Sequence, residues 1–266
     1  MLVIWDFDGV LCDSLFECMT VTCVAAFQLD NPRIEVTKKN LHRICEPEII
    51  EAYYKRLSPL RPFIVKGQDY LWQHYHLDTS NNTFDSFSDY KHELELVHNI
   101  ELDKVYEAAF YQARKLVAGI MGPQYQQLFK PYVSALYAFR SSMQLHKTYI
   151  CTARDQNGVQ SLFGDNSIEF PRQNIFSKDF NGIEINHGLS KSEQILGVLK
   201  DSGGASQNFI IVEDQIKAPC ELNDLCKNMK VVCASYGYGL ESDWNSSGLQ
   251  NLVCVKSPAE LIYEIY

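Results

Sequence analysis

Five short apolar runs, residues 2–5 (LVIW), 147–151 (KTYIC), 208–212 (NFIIV), 231–234 (VVCA) and 252–255 (LVCV), constrain this chain more than any other feature. They do not alternate polar with apolar, so each reads as a strand buried on both faces. Stretches of helical spacing, notably 192–199 and 218–227, fall between them, and Asn174-Ile175-Phe176 offers a weaker sixth run. Apolar strands alternating with helices predict an α/β fold with a doubly wound, Rossmann-like parallel sheet of five or six strands.

Residues 15–130 read differently. Leu15–Leu29 is an apolar-rich helix, and residues 91–121 carry helical periodicity through Leu94, Val97, Leu102, Val105, Ala109 and Leu116. Tyrosine- and asparagine-rich stretches such as 80–90 are expected to be surface loops. With no convincing strand here, the expectation is an all-helical domain inserted after the first strand. The core is then 1–14 plus 131–266, rejoined near Pro131. There is no internal repeat and no low-complexity tract.

Chemistry-bearing residues gather where the strands end, which is where an open α/β sheet binds ligands. Asp6 and Asp8 follow the first run in WDFDG. An aspartate at a strand tip can attack phosphorus, and a second one two residues on can handle the leaving-group proton. Alone, D-x-D-G is as often a turn or a cap. Thr152 follows the run ending at Cys151, and its hydroxyl can hold a phosphoryl oxygen or cap a helix. Neighbouring Arg154 is an anion ligand or, more commonly, a solvated loop residue.

Lys191 opens a helix, where a cation is unfavourable unless something else favours it. A transferring phosphoryl group needs such a charge. Lys178 is a less well-placed rival. Glu213-Asp214 ends a fully apolar run, and with the opening aspartates would make a hard-cation site suited to Mg²⁺. His74 and His76 form an H-x-H without a third ligand nearby. The aromatic stretches around Tyr53, Trp72 and Tyr106 read as packing.

D-x-D-G-V-L-x-D-S at 6–14, Thr152, Lys191 and V-E-D-Q at 212–215 together resemble the four motifs of the haloacid dehalogenase-like superfamily. The likeness includes Pro131 before the helix preceding Thr152, G-Y-G at 237–239 and S-P-A-E-L at 257–261, and spans the whole core. It implies that Asp6 is the nucleophile, Asp8 the general acid/base, and Thr152 and Lys191 the phosphoryl ligands. It also implies that Asp6, the Asp8 main-chain carbonyl, Glu213 and Asp214 hold Mg²⁺, and that 15–130 is a type I cap. Asp8 separates phosphatases and phosphomutases from dehalogenases, which lack it. Two positions depart from the pattern: Ala218 stands where many members have an acid, and Gln215 where serine is usual. The E-D pair is familiar in the β-phosphoglucomutase-like branch. Asp13 is expected to be structural, helping to start the helix that leads into the cap.

The expected activity is therefore Mg²⁺-dependent hydrolysis of a small phosphorylated metabolite through an aspartyl-phosphate. The alternatives are a sugar phosphomutase and a non-catalytic binding module. A net charge of -9 argues against a nucleic-acid partner. No apolar run reaches the roughly 18–20 residues of a membrane span. No export signal is evident, and the nine cysteines lack any C-x-x-C pair, so buried reduced thiols and a cytoplasmic location are expected. Oligomeric state is not readable from the sequence.

Overall fold

A computed structural model describes residues 1–77, 84, 87–177, 190–204 and 208–266. The chain divides into two compact units, Met1–Asp13 with Lys130–Tyr266, and Ser14–Phe129.

In chain order, β1 (Leu2–Trp5) and β2 (Cys12–Asp13) lead into six helices among the described residues. These are α1 (Leu15–Asp30), α2 (Lys38–Ile44), α3 (Pro47–Leu57), α4 (Asp69–His76), α5 (Phe87–Val97) and α6 (Ile100–Met121). Then follow β3 (Lys130–Pro131), α7 (Val133–Leu145), β4 (Lys147–Cys151), α8 (Gln156–Asp165), β5 (Ile175–Phe176) and α9 (Lys191–Ser202). The chain closes with β6 (Phe209–Glu213), α10 (Lys217–Leu222), β7 (Met229–Ala234), α11 (Glu241–Asn245), β8 (Leu252–Val255) and α12 (Leu261–Ile265).

Six strands form one sheet in the order β5-β4-β1-β6-β7-β8. Every pairing in it is parallel. From β1 the chain steps outward to β4 and β5, then returns to β6 on the other side of β1. That reversal makes the β1/β6 boundary a topological switch point, where a doubly wound sheet opens a crevice at its carboxyl edge. Register then decides what lies there. Trp5 pairs with Ile150 on one side and Val212 on the other, so Asp6, Thr152 and Glu213 come to one edge.

The apolar character of β1 follows from its central place. Leu2, Val3, Ile4 and Trp5 are each 1 % exposed or less. Each such side chain contributes about 1.5–3 kcal/mol of burial free energy. Leu2 and Ile4 pack in a cluster with Tyr149, Ile195, Phe209 and Ile211. On the opposite face, Trp5 meets Phe139 edge-on at 5.6 Å, and Phe139 stacks on Phe163 at 5.1 Å. A separate two-stranded pairing, β2 antiparallel to β3, brings the two ends of the helical insertion together.

Within the helical unit, the stretch expected as one long periodic helix over 91–121 is two helices. The break is at Asn99, whose side chain caps α6 by accepting from the Glu101 and Leu102 amides. Gly122 and Pro123 end α6. Helix α5 also enters the stretch expected to be a loop, and Tyr90 is 2 % exposed; residues 80–83 and 85–86 lie outside the described residues. Tyr70, Trp72, Tyr90 and Tyr106 are buried, in keeping with a packing role. Cys12, Cys18, Cys23, Cys151, Cys226 and Cys233 are buried and unbridged. Cys254 is exposed, against expectation, because β8 is an edge strand. Among the described residues, no helix is long and apolar enough to cross a membrane.

Candidate active site

Asp6 extends β1 by one residue. Its amide donates to Val212 O at 2.9 Å, which fixes the residue against β6, and it is 5 % exposed. Glu213 ends β6 and Asp214 follows it, each 1 % exposed. One carboxylate oxygen from each of Asp6, Glu213 and Asp214 lies within 4.8 Å of the others, the only such grouping of metal-ligating side chains among the described residues. His74 and His76 are not part of any. The first stacks on Tyr53 at 5.0 Å, and the second sits 2.9 Å from the Tyr106 hydroxyl.

Lys191 is the first residue of α9, whose start is closed by a capping box between Ser190 and Glu193. Its side chain reaches the acidic cluster, with Nζ 2.7 Å from Asp6 Oδ2 and 2.9 Å from Glu213 Oε2. Those carboxylates explain a cation at a helix N-terminus. Burial by itself lowers the lysine's pKa, but Asp6, Glu213 and Asp214 overcome that and raise it above its ordinary value. Glu213 is also raised well above the usual carboxylate range, first by burial and then by Asp6 and Asp214, with Lys191 opposing. The neighbouring buried carboxylates push both groups in the same direction, toward the protonated form. Lys178 lies outside the described residues.

Three buried carboxylates around one ammonium are a donor set for a further cation. Hard oxygen ligands without sulfur or imidazole suit a divalent ion of the Mg²⁺ or Ca²⁺ type. The Asp8 side chain does not join the cluster, so any share of Asp8 in such a site would come from its main chain.

Asp8 faces Arg154 instead. Arg154 Nε is 3.1 Å and 3.2 Å from the two Asp8 oxygens, and Nη2 is 2.8 Å from Oδ1. Arg154 is 1 % exposed, so the expectation of a solvated loop residue is corrected. Thr152 is equally buried. Its Oγ1 accepts from the Arg154 amide at 3.1 Å, and its carbonyl accepts from Gln194 Nε2 at 3.3 Å. It does not cap α8; Asp155 does, accepting from Gly158 N at 2.8 Å.

The loop after β1 and the loop after β7 close on Asp214. Gly9 has φ +84°, and a Cβ there would stand 2.1 Å from Asp214 Oδ2. A Cβ on Gly239 would stand 1.9 Å from Asp214 O. The Tyr238 amide donates to Asp214 Oδ2 at 2.9 Å, and its hydroxyl donates to Asp13 Oδ1 at 2.7 Å. Sequence reasoning finds G-Y-G at 237–239 but gives Tyr238 no task. It places Asp13 at the helix start, where Ser14 occupies the cap position instead. Ala218 is buried at 6 % exposure, and the Gln215 amide donates to Glu213 Oε1 at 3.2 Å.

No family model matches the sequence, and no curated protein does. Solved structures do. A haloacid dehalogenase-like family hydrolase from Streptococcus pneumoniae superposes with TM-score 0.60 at 12% identity, over 100% of this chain and 98% of that one. The chain has the haloacid dehalogenase-like fold. A predicted phosphatase from Clostridium acetobutylicum gives TM-score 0.60 at 17% identity, over 99% and 97% of the two chains. A hydrolase from Pseudomonas syringae gives 0.60 at 12%, over 100% and 97%. In the haloacid dehalogenase-like fold of this chain, the β1 and β6 tips carry the acidic cluster and Lys191, while Asp8 and Thr152 share Arg154.

Proposed function

We propose that this protein is a Mg²⁺-dependent phosphomonoester hydrolase acting on a small phosphorylated metabolite through an aspartyl-phosphate on Asp6. The observation that carries the reading is the 2.7 Å contact between the Asp6 carboxylate and the Lys191 ammonium at the switch point of the sheet. A nucleophile beside a fixed cation is the arrangement phosphoryl transfer calls for, since the chemistry is mainly positioning and charge stabilisation.

In this reading Asp6 attacks phosphorus, and Lys191 shares its charge with the phosphoryl oxygens as they gather negative charge. The Thr152 hydroxyl accepts from the Arg154 amide and donates its own hydrogen to a phosphoryl oxygen. Asp8 gives the departing oxygen its proton, then takes one from the water that hydrolyses the aspartyl-phosphate. Mg²⁺ held by Asp6, Glu213, Asp214 and the Asp8 carbonyl would supply positive charge that lets an anionic substrate approach a carboxylate. The choice of metabolite is assigned to the helical unit. The hydrolase from Streptococcus pneumoniae and the predicted phosphatase from Clostridium acetobutylicum that share the fold agree with this class.

Turnover of p-nitrophenyl phosphate with and without Mg²⁺ tests the reading. Asp6→Asn is expected to lower kcat by about a thousandfold or more, because no other group supplies the covalent step. Undiminished turnover by Asp6→Asn overturns the mechanism, and absence of turnover by the wild type on any phosphomonoester overturns the reaction class.

A further inference from the structure

Arg154 is held at its amide, along its stem and at Nε and Nη2 of its guanidinium. Its amide is bonded to Thr152 Oγ1 at 3.1 Å, and its guanidinium carbon lies 5.8 Å from the centre of the buried Phe7 ring. Its stem runs over Gly158, where a Cβ would come within 3.2 Å of Arg154 Cδ. The side chain is 1 % exposed. What its guanidinium does engage is Asp8, through Nε and Nη2, on both carboxylate oxygens. Asp8 is the more exposed partner, with its side chain 20% exposed. A planar fork on a carboxylate sets direction as well as distance, which an ammonium cannot do.

We propose that Arg154 is a positioning residue for Asp8: it fixes the direction from which Asp8 delivers the proton to the departing oxygen. The inference rests on the proposed phosphomonoesterase activity. In the first half-reaction the Asp6–phosphorus bond forms, the phosphorus–oxygen bond of the ester breaks, and the Asp8 proton goes to the leaving oxygen. An alkyl alcohol leaves as a strong base and needs that proton. p-Nitrophenolate is a weak base and leaves without it. A misdirected Asp8 therefore penalises one substrate and spares the other.

The experiment compares kcat/KM, which covers steps up to departure of the leaving group, for β-glycerol phosphate and for p-nitrophenyl phosphate. Arg154→Lys and Arg154→Gln are expected to lower the alkyl value by about a hundredfold, within the range general acid catalysis supplies. The p-nitrophenyl value is expected to fall by no more than about fivefold. The same variants should release a burst of p-nitrophenolate close to one per enzyme, because hydrolysis of the aspartyl-phosphate again needs a well-aimed Asp8. Asp8→Asn should reproduce the selectivity. Equal losses on both substrates, or no loss on either, overturn the proposal. Should Arg154→Gln not fold, Arg154→Lys keeps length and charge and decides on the same ratio. A wild type inactive on both substrates overturns the proposed function instead, so the two failures are distinct.

Discussion

The Tyr238 hydroxyl donates a 2.7 Å hydrogen bond to Asp13 Oδ1, joining residues 225 positions apart. The same residue's amide donates to Asp214 Oδ2 at 2.9 Å. One tyrosine thus ties the last residue of β2 to the acidic cluster, with its side chain on Asp13 and its main chain on Asp214. The two bonds can be separated by mutation. Tyr238→Phe removes only the first, at a cost of about 1 kcal/mol for a partly exposed bond to a carboxylate. Divalent-cation affinity should be unchanged, because the amide that orients Asp214 remains. Urea denaturation and titration calorimetry with Mg²⁺ on the same variant check both halves.

Gly9 is where the site tolerates no side chain. At φ +84° an alanine is strained, and its Cβ would fall 2.1 Å from Asp214 Oδ2. Asp214 must move, so Gly9→Ala should weaken cation binding tenfold or more and cost about 2 kcal/mol of stability. Gly119, in the interior of α6 with open space within 4 Å of where an alanine Cβ would stand, is the control. There alanine should stabilise by up to about 1 kcal/mol, the ordinary helix-propensity gain. Denaturation midpoints of the two variants should move in opposite directions.

The central strands were legible because they are buried on both faces, so their apolar runs needed no partner to be recognised, and the edge strand β8 was legible from its apolar run alone. Residues 147–151 and 252–255 are β4 and β8 to the residue. Asp6, Lys191, Glu213 and Asp214 were legible as a group because each stands at a strand or helix end. What the sequence concealed were relations between side chains. Nothing local distinguishes Arg154 from a solvated loop arginine; its partner Asp8 is 146 residues away. Asp13 reads as a helix-starting residue until Tyr238 is seen to hold it. The break at Asn99 had a local signal in a cap residue, but apolar periodicity runs across it from Val97 to Leu102. Periodicity records which face is buried and is silent on whether the backbone is continuous.

Lys191 neutralises part of the acidic cluster in the absence of any cation. Lys191→Met would leave Asp6, Glu213 and Asp214 facing one another without the lysine's charge, and loss of one partner of a buried pair costs about 3–5 kcal/mol. The metal-free variant should therefore melt well below the wild type. Added Mg²⁺ should raise its Tm by more than it raises that of the wild type, because the ion replaces a charge as well as filling a site. Thermal melts across a Mg²⁺ series, with and without chelator, measure the difference. Equal metal-induced shifts would refute it.

A pH effect is expected in the helical unit. Burial pushes the Asp69 carboxyl up to about 6, helped by Asp103 and opposed by the Val65 and Lys66 amides, each 2.8 Å from Oδ2. In the unfolded chain the same group titrates near 3.9. Between about pH 4 and 6 the folded form keeps a proton that the unfolded form has lost, so stability falls as pH rises through that window. Asp69→Asn removes the term while keeping an acceptor for the two amides. The difference in unfolding free energy between variant and wild type should grow from near zero at pH 4 to about 2 kcal/mol in favour of the variant at pH 7.

The helical unit also contains a fully buried ion pair. Arg114 donates to Glu17 through Nε at 2.8 Å and Nη2 at 3.0 Å, and the Tyr125 hydroxyl donates to the same carboxylate. Arg114 further lies over the Phe110 ring, 4.8 Å from its centre. Glu17 is 0 % exposed, so its charge is stabilised by buried partners such as these and not by solvent. Arg114→Met strands that carboxylate and should cost about 3–5 kcal/mol, whereas Glu17→Leu with Arg114→Met removes both charges and should recover most of the loss. Tyr125 keeps a hydroxyl without its acceptor in the double variant, which sets a residual deficit of about 1 kcal/mol. Urea denaturation of the single and double variants decides the matter: a double variant no more stable than Arg114→Met would mean that the arginine acts through its packing on Phe110 and not through its charge.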